Sequence, residues 1–221
     1  QTKNFHPVVV SDLEDYDDFF YSFQKYFTQL ARQTHSGVVM VARVGTCSGK
    51  VCISYLLKSE KGMWGSGHEA ETVPLMMEKL NTHIALILQS NILDVDFLDS
   101  ALINAKLKIL HQQAPDDLIV WTQLAHSEVQ TGNTSSAILL ADEMAKSAQL
   151  QGNKIREAWS YVVMADAYIA QGLYENAEPR LQKALAIFQE EQDYSSLATM
   201  QYSYASLAFA RNDYPLFKQY L

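Results

Sequence analysis

The sequence predicts an α+β protein in which a small sheet domain is followed by an all-α domain of helical repeats. Residues 1–90 combine short apolar, β-prone stretches with two helical patterns. Residues 91–221 show helical patterns only, and these repeat every 40 residues or so. The 221-residue chain is 48% hydrophobic and 19% charged, which is an ordinary globular composition with enough length to bury a core. We therefore predict two domains, 1–90 and 91–221.

The first domain opens with a predicted strand and a predicted helix. Residues 8–10 are a short apolar run, and apolar or aromatic residues then recur at helical spacing over residues 16–31. An acidic cluster that includes Asp15, Asp17 and Asp18 lies at the start of this helix, where the helix dipole favours negative charge. Because neighbouring carboxylates raise one another's pKa, the cluster is a candidate site for a cation or a pH response. A solvated helix start is the alternative.

A β-hairpin is predicted around the two cysteines, Cys47 and Cys52. Residues 38–42 are apolar on both faces, and residues 51–58 alternate as in a half-buried strand. The four residues between the cysteines would form the loop, which brings the cysteines within range of a disulfide. A disulfide favours an exported compartment, whereas two buried thiols in a cytosolic protein are the alternative. No zinc site is expected, because the companion pair of ligands is missing.

A short strand and a helix close the first domain. Met63-Trp64 predicts the strand, and Gly65-Ser66-Gly67 predicts a loop after it. Pro74 marks the start of the helix. The apolar face of this helix is formed by Met76, Leu80, Ile84, Ile87 and Leu88.

The second domain is predicted to consist of stacked helix pairs. Gly132, Gly172 and Asn212 recur at an interval of 40 residues and mark helix ends. Three further sets recur at the same interval: Ala125, Ala165 and Ala205; Leu124, Met164 and Tyr204; Val129, Ile169 and Phe209. Such spacings are typical of tetratricopeptide-type repeats, whose helix pairs must stack because one pair cannot bury its apolar face. A further helix, over residues 96–113, is predicted to precede these repeats in the chain.

Two surfaces are candidate binding sites. The concave face of the repeats, formed by the first helix of each pair, could hold a peptide or helix. Its candidate ligand contacts are His126, Gln130, Trp159, Asp166 and Tyr202. Trp159 is the leading candidate, because large aromatic side chains are favoured anchors, and an ordinary polar face is the alternative. The cleft between the two domains is the second surface, since ligands often bind at such junctions.

Charge and motifs exclude several classes of function. The net charge of −8 disfavours nucleic-acid binding by this segment and suits a basic partner or a cationic ligand. No nucleophile–base set, phosphate loop or dinucleotide motif is found, and the six histidines lack metal-ligand spacing. We therefore expect no enzymatic activity, cofactor or metal. The start at Gln1 and the lack of a 20-residue apolar run predict a processed product or excised fragment without a membrane span.

Four segments resemble the extracytoplasmic part of CadC/ToxR-like transcriptional regulators, in which a TolB-like domain precedes helical repeats. Residues 19–31 resemble the long first helix of that domain, and residues 38–43 resemble the strand after it. Residues 52–64 resemble a late strand that ends in a Gly-x-Trp turn, and residues 75–88 resemble the closing helix.

The resemblance implies a one-component sensor that is anchored in the inner membrane. DNA would be bound by a winged helix and the membrane crossed by one helix, both outside this chain, while this portion senses signals in the periplasm. The implied signal is a small molecule such as a cationic amine, a partner protein or a change of pH. A second copy of the chain, in a homodimer, is a further possible partner. The alternative is a cytosolic tetratricopeptide-type interaction module of a regulator, kinase or scaffold.

Overall fold

The computed structural model describes residues 37–47 and 49–220, together with Phe27 and Ala31, which are helical. These residues form a three-stranded antiparallel sheet followed by helices, so the predicted α+β class is confirmed. The strands, in spatial order, are β1 (Val39–Cys47), β2 (Lys50–Lys58) and β3 (Met63–Ala70). The helices are α1 (Val73–Ser90), α2 (Ser100–Gln113), α3 (Leu118–Gln130), α4 (Thr134–Leu150), α5 (Lys154–Ala170), α6 (Tyr174–Glu190), α7 (Tyr194–Ala210) and α8 (Tyr214–Gln219). The predicted first strand and the acidic residues Asp15, Asp17 and Asp18 lie outside the described residues.

The hairpin between β1 and β2 is tighter than predicted. Strand pairing continues to Cys47 opposite Lys50, so two residues connect the strands rather than four, and Gly49 supplies the left-handed conformation (φ +80°). Cys52 lies opposite Gly45, so the two cysteines are offset by two positions in the register instead of facing each other. Cys52 is disulfide-bonded. Its pairing with Cys47 stays a prediction, because the side chain of Cys47 is outside the described part.

The predicted loop at residues 65–67 is wrong, because these residues lie inside β3. The glycines that indicate a loop in the sequence are needed here for close approach between strands. A Cβ atom on Gly67 would lie 2.9 Å from the carbonyl oxygen of Ile53 in β2, which is closer than real Cβ atoms come. The carbonyl of Gly67 also accepts a hydrogen bond from the helical repeats, as described below.

One hydrophobic core joins the sheet to the first helices. Met76, Leu80 and Ile87 of α1 pack in it against sheet residues such as Leu57 and Trp64. The same cluster continues into α2 and α3 through Leu107, Leu110, Ile119, Val120 and Leu124. Each fully buried side chain of this size stabilises the fold by about 1.5–3 kcal/mol. The sheet is therefore held against the first repeat by a shared core, while the boundary near residue 90 stays a prediction.

The helices from α4 onward begin every 20 residues, which explains the 40-residue period of the pairs. Each three-residue turn contains one left-handed residue, and the φ angles are 81°, 65°, 74°, 54° and 59° for Gly132, Gly152, Gly172, Gln192 and Asn212. These residues let the chain bond back to the preceding helix, as the amide of Asn133 does to the carbonyl of Glu128 at 2.8 Å. The 40-residue pattern predicted the turns at Gly132, Gly172 and Asn212 only. It missed those at Gly152 and Gln192, of which only Gln192 is not a typical left-handed residue. The predicted helix over 96–113 begins later, at Ser100.

Small buried residues allow the paired helices to approach closely. Alanines occupy the contacts between helices at fully buried positions. They include Ala125, Ala137, Ala141, Ala165, Ala177 and Ala184. Larger side chains such as Phe188 and Leu181 fill the remaining space. The predicted architecture of stacked antiparallel pairs is thus present from α3 to α8.

Candidate functional site

A cleft of about 940 Å³ lies between the sheet and the concave face of the repeats. One side is formed by β2, β3 and α1, and the other by α3, the start of α5 and the turns that precede α5 and α7. Hydrogen bonds from the repeats to carbonyls of β3 cross it: Arg156 Nη2 donates to the carbonyl of Gly67 at 2.9 Å, and Gln123 Nε2 donates to that of Gly65 at 3.2 Å. The predicted cleft between the sheet and the repeats therefore includes part of the predicted concave face, at α3 and α5.

An aspartate–histidine pair forms part of the cleft wall. His83 of α1 is 2% exposed, and its Nδ1 lies 2.6 Å from Oδ2 of Asp117. The other oxygen of Asp117 accepts the amides of Ile119 and Val120 and so caps α3. Burial raises the pKa of Asp117, but the hydrogen bond and charge of His83, with the two amides, outweigh it and hold the pKa below its usual value. Asp117 therefore fixes the ring of His83 across the junction.

Buried polar atoms without partners gather around His83. The His68 ring lies 5.1 Å from that of His83, edge to face, and the Trp64 ring lies 5.7 Å from it. Tyr55 stacks on His68 at 5.9 Å. Among the described residues, the Nε2 atoms of His68 and His83 are buried without a hydrogen-bond partner. Buried polar atoms in native proteins are nearly always paired, so two such atoms side by side indicate a place for water or a ligand.

Arg156 brings a positive charge into a region of acidic side chains beside this cluster. Arg156 lies among Asp117, Glu69 and Asp193, all of which favour its charged form, although burial lowers the pKa of its guanidinium. An arginine keeps its proton at any ordinary pH, so it brings a permanent positive charge to the inner cleft. Burial, with the charges of His83 and Arg156, lowers the pKa of His68 to about 4. Farther out, acidic side chains such as Glu71, Glu78 and Asp116 outnumber the basic ones.

An aromatic wall faces the cluster across the cleft. The ring of Trp159 is edge-to-face with Phe188 at 5.6 Å and with His126 at 6.0 Å. Both Trp159 and His126 line the cleft, and burial lowers the pKa of His126 to about 4. His126 is therefore neutral at pH 7, and this wall offers a flat, uncharged surface to a ligand.

The structure brings together only part of the predicted ligand-binding set. His126 and Trp159 line the cleft, whereas Gln130, Asp166 and Tyr202 do not. Gln130 is exposed, and the Tyr202 side chain is 77% exposed. Asp166 is half-buried, and burial raises its pKa to about 6, against the opposing effect of a hydrogen bond with Ser203.

Sequence reasoning missed the inner cluster of His68, His83, Asp117 and Arg156. These residues come from a strand, a helix, a helix cap and a second helix start, and His83 and Asp117 are 34 positions apart. No local motif links such residues, because tertiary packing alone brings them together. The one available signal was His83 itself, a histidine next to Ile84 on the predicted apolar face of its helix.

Fold and site together define a class: an α+β protein whose helical repeats enclose a polar, aromatic-lined cleft against a small sheet. No protein-family model, curated protein or solved structure matches the chain. Within the described ranges, no group of three or more His, Cys, Asp or Glu side chains is arranged to hold a metal ion. Over the same residues, none of the helices is both long and apolar enough to cross a membrane.

Proposed function

We propose that this chain is the signal-sensing portion of a membrane-bound transcriptional regulator of the CadC/ToxR-like type, and that it binds a small molecule in the cleft. The cleft volume of about 940 Å³ falls in the range of small-molecule sites. The observation that carries the proposal is the pair of buried, unpaired polar atoms beside the cleft.

A small molecule fits this cleft better than a peptide does. In tetratricopeptide-type arrays, a peptide lies along the concave face of the repeats. Here β3 covers that face at α3 and α5, through the bonds of Gln123 and Arg156 to Gly65 and Gly67. A peptide would have to displace the strand, whereas a small molecule can enter beside it.

Ligand binding in this cleft offers a way to change the shape of the chain. The contacts that cross it are hydrogen bonds and the His83–Asp117 pair, so a bound molecule would contact groups on both sides. A ligand shifts an arrangement only if it binds one state more tightly than the other. In a membrane-bound regulator, such a shift would reach the DNA-binding domain through the membrane helix. The disulfide-bonded state of Cys52 supports a periplasmic location.

The binding part of this proposal is tested by thermal unfolding of the chain in the presence of a panel of small metabolites. We expect some compounds to raise Tm of the wild type and of Tyr202→Leu, but not of Trp159→Leu. Tyr202 is the matched control, because it is an exposed aromatic residue outside the cleft. If both variants lost the increase in Tm equally, or if no compound raised Tm at all, a ligand site in the cleft would be contradicted.

The regulatory part is tested in the intact gene product. A compound identified through Trp159 should change transcription of the target gene, and Trp159→Leu should abolish that response. A gene that encodes no winged helix and no membrane segment would contradict the assignment. In that case the alternative proposal, a cytosolic interaction module, predicts reduced cysteines and a peptide partner at the uncovered end of the repeats.

A further inference from the structure

We propose that α2 is a dimerisation helix, against which α2 of a second copy of this chain packs in antiparallel orientation. The outer side of the helix is apolar: Leu102 and Ile109 are about half exposed, and Ala105 between them is exposed. Phe97 and Leu98, in the turn that leads into α2, are 60% and 75% exposed. Isolated apolar residues are common on protein surfaces, whereas a contiguous apolar patch marks an interaction surface.

The spacing of these residues is that of a seam between two helices. An apolar stripe with intervals of four, three and four residues is formed by Leu98, Leu102, Ala105 and Ile109. Such intervals are those of the a and d positions that meet where two helices pack along each other. On the opposite side of α2, Leu107 and Leu110 are buried in the core shared with the sheet. The stripe is therefore the solvent-facing side of a helix whose inner side is already packed.

The charges beside the stripe identify the occupant as a second, antiparallel copy of α2. Asp99 and Lys106 are seven residues apart and so lie on the same flank of the stripe, at opposite ends. In an antiparallel pair, the carboxylate of Asp99 in each copy faces the ammonium group of Lys106 in the other, and a two-fold axis relates the two ion pairs. A parallel pair would bring Lys106 opposite Ala101 and form no such ion pair.

Both charged groups have bonding capacity for a partner. Asp99 caps α2 with one carboxylate oxygen, Oδ1, which accepts the amide of Leu102 at 3.0 Å. Lys106 donates to the carbonyl of Ser90 at 3.2 Å, and an ammonium group has three donors. On the other flank of the stripe, Lys108 lies 2.8 Å from Glu128, so its charge is already balanced within the chain.

The antiparallel arrangement also matches the sizes of the side chains. Around the two-fold axis, Leu102 of each copy packs beside Ala105 of the other, and Leu98 packs beside Ile109. A large residue thus meets a small one at the centre, where the two helices come closest. The same stripe serves both copies, as an interface with two-fold symmetry requires.

The dimer is expected to be weak, and it is separate from the ligand site. A helix of 14 residues is about 21 Å long, so one helix from each copy forms a small interface. We expect a dissociation constant on the order of 10–100 µM. None of the described residues of α2 lines the cleft, so the inference holds whether or not a small molecule binds there.

Sedimentation equilibrium of the chain, from about 1 µM to 1 mM, measures this dissociation constant. Ile109→Glu places a charge in the seam and should weaken the dimer at least about thirtyfold, the effect of losing a central contact. Leu139→Glu is the matched control, because Leu139 is 68% exposed on α4, outside the stripe. It should leave the dissociation constant unchanged.

A charge exchange tests the antiparallel orientation. Lys106→Glu turns both ion pairs into repulsions and should weaken the dimer about tenfold. Adding Asp99→Lys to that variant should restore the wild-type dissociation constant, because both ion pairs form again with their signs exchanged. Far-UV circular dichroism checks that each variant is folded.

A chain that stays monomeric over the whole concentration range would overturn the proposal. Equal dissociation constants for Ile109→Glu and Leu139→Glu would also overturn it, because dimerisation would then use another surface. A dimer that Lys106→Glu leaves unchanged, or a folded double variant that is not restored, would overturn the antiparallel pairing. None of these results bears on the ligand site, which the metabolite panel with Trp159→Leu tests separately.

Discussion

At the scale of single residues, Asp117 links the sheet domain to the repeats. Its Oδ2 lies 2.6 Å from Nδ1 of His83, and its Oδ1 accepts the amides of Ile119 and Val120 at 2.9 and 3.2 Å. One carboxylate thus caps α3 and orients a buried ring of α1. The net lowering of its pKa shows that these partners outweigh the cost of burial. Two substitutions can separate the two roles.

Asp117→Asn keeps an oxygen for the cap but removes the charge beside His83, whereas Asp117→Ala removes both. We expect the free energy of unfolding to fall by about 2 kcal/mol in the first variant. The second should lose a further 1 kcal/mol or so, the usual contribution of an N-cap. Chemical denaturation at neutral pH measures both values. Equal losses in the two variants would mean that the cap contributes nothing, and no loss in Asp117→Asn would mean that the charge is irrelevant.

The buried histidines predict a dependence of stability on pH. The pKa of His126 is lowered to about 4 by burial, below the value of about 6.5 in an unfolded chain. Between these values the unfolded state binds more protons, so stability rises with pH over this window and is lost on acidification. Each such histidine should contribute a slope of about 1.4 kcal/mol per pH unit.

Denaturation curves between pH 4 and 6.5 test this in the wild type and in His126→Gln. The slope of the free energy of unfolding against pH should be smaller in His126→Gln than in the wild type, by the contribution of one histidine. Gln130→Ala on the same helix is the control and should leave the slope unchanged, because Gln130 is exposed. Identical slopes in all three proteins would mean that His126 titrates normally in the folded state.

At the scale of elements, the left-handed turns fix the 20-residue spacing of the helices. Gly152 has φ of 65° and Gln192 has φ of 54° at equivalent turns. Nothing lies within 4 Å of a Cβ atom built on Gly152, so a side chain there would meet a conformational cost and no steric one. Left-handed backbone costs residues other than glycine roughly 1 kcal/mol.

Opposite effects are therefore expected at these two turns. Gly152→Ala should lower the free energy of unfolding by about 1 kcal/mol, and Gln192→Gly should raise it by up to about 1 kcal/mol. The change in urea midpoint, at an unchanged m-value, measures both. A stabilising Gly152→Ala, or a destabilising Gln192→Gly, would show that these turns are not held in the left-handed conformation.

The elements also show where sequence reasoning succeeds. Gly132, Gly172 and Asn212 revealed the period of the pairs because glycine and asparagine favour left-handed turns. Gln192 carries no such signal, so its turn went unnoticed, and the equivalent turn at Gly152 was missed with it. Gly65 and Gly67 indicated a loop because their role, close approach between β2 and β3, depends on a neighbouring strand that local pattern cannot reveal.

At the scale of the whole molecule, the site exists only because the sheet packs against the first repeats. Concave-face residues of α3 and α5, including His126 and Trp159, could be predicted from the repeat. Their partners His68, His83 and Asp117 could not, since a shared core and not a motif sets how the sheet docks. The central claim of the account is that a small molecule bound in this cleft contacts both parts.

Hydrogen exchange of the chain with and without a compound that stabilises it through Trp159 tests this claim most directly. We expect slower exchange in two separate segments, β3 and the first turns of α5, because the cleft is lined by both. Amides of α8, remote in the chain from the cleft, should be unaffected beyond the global gain in stability. Slower exchange confined to the repeats, or centred on α7 around Tyr202, would contradict a ligand site between the sheet and the repeats.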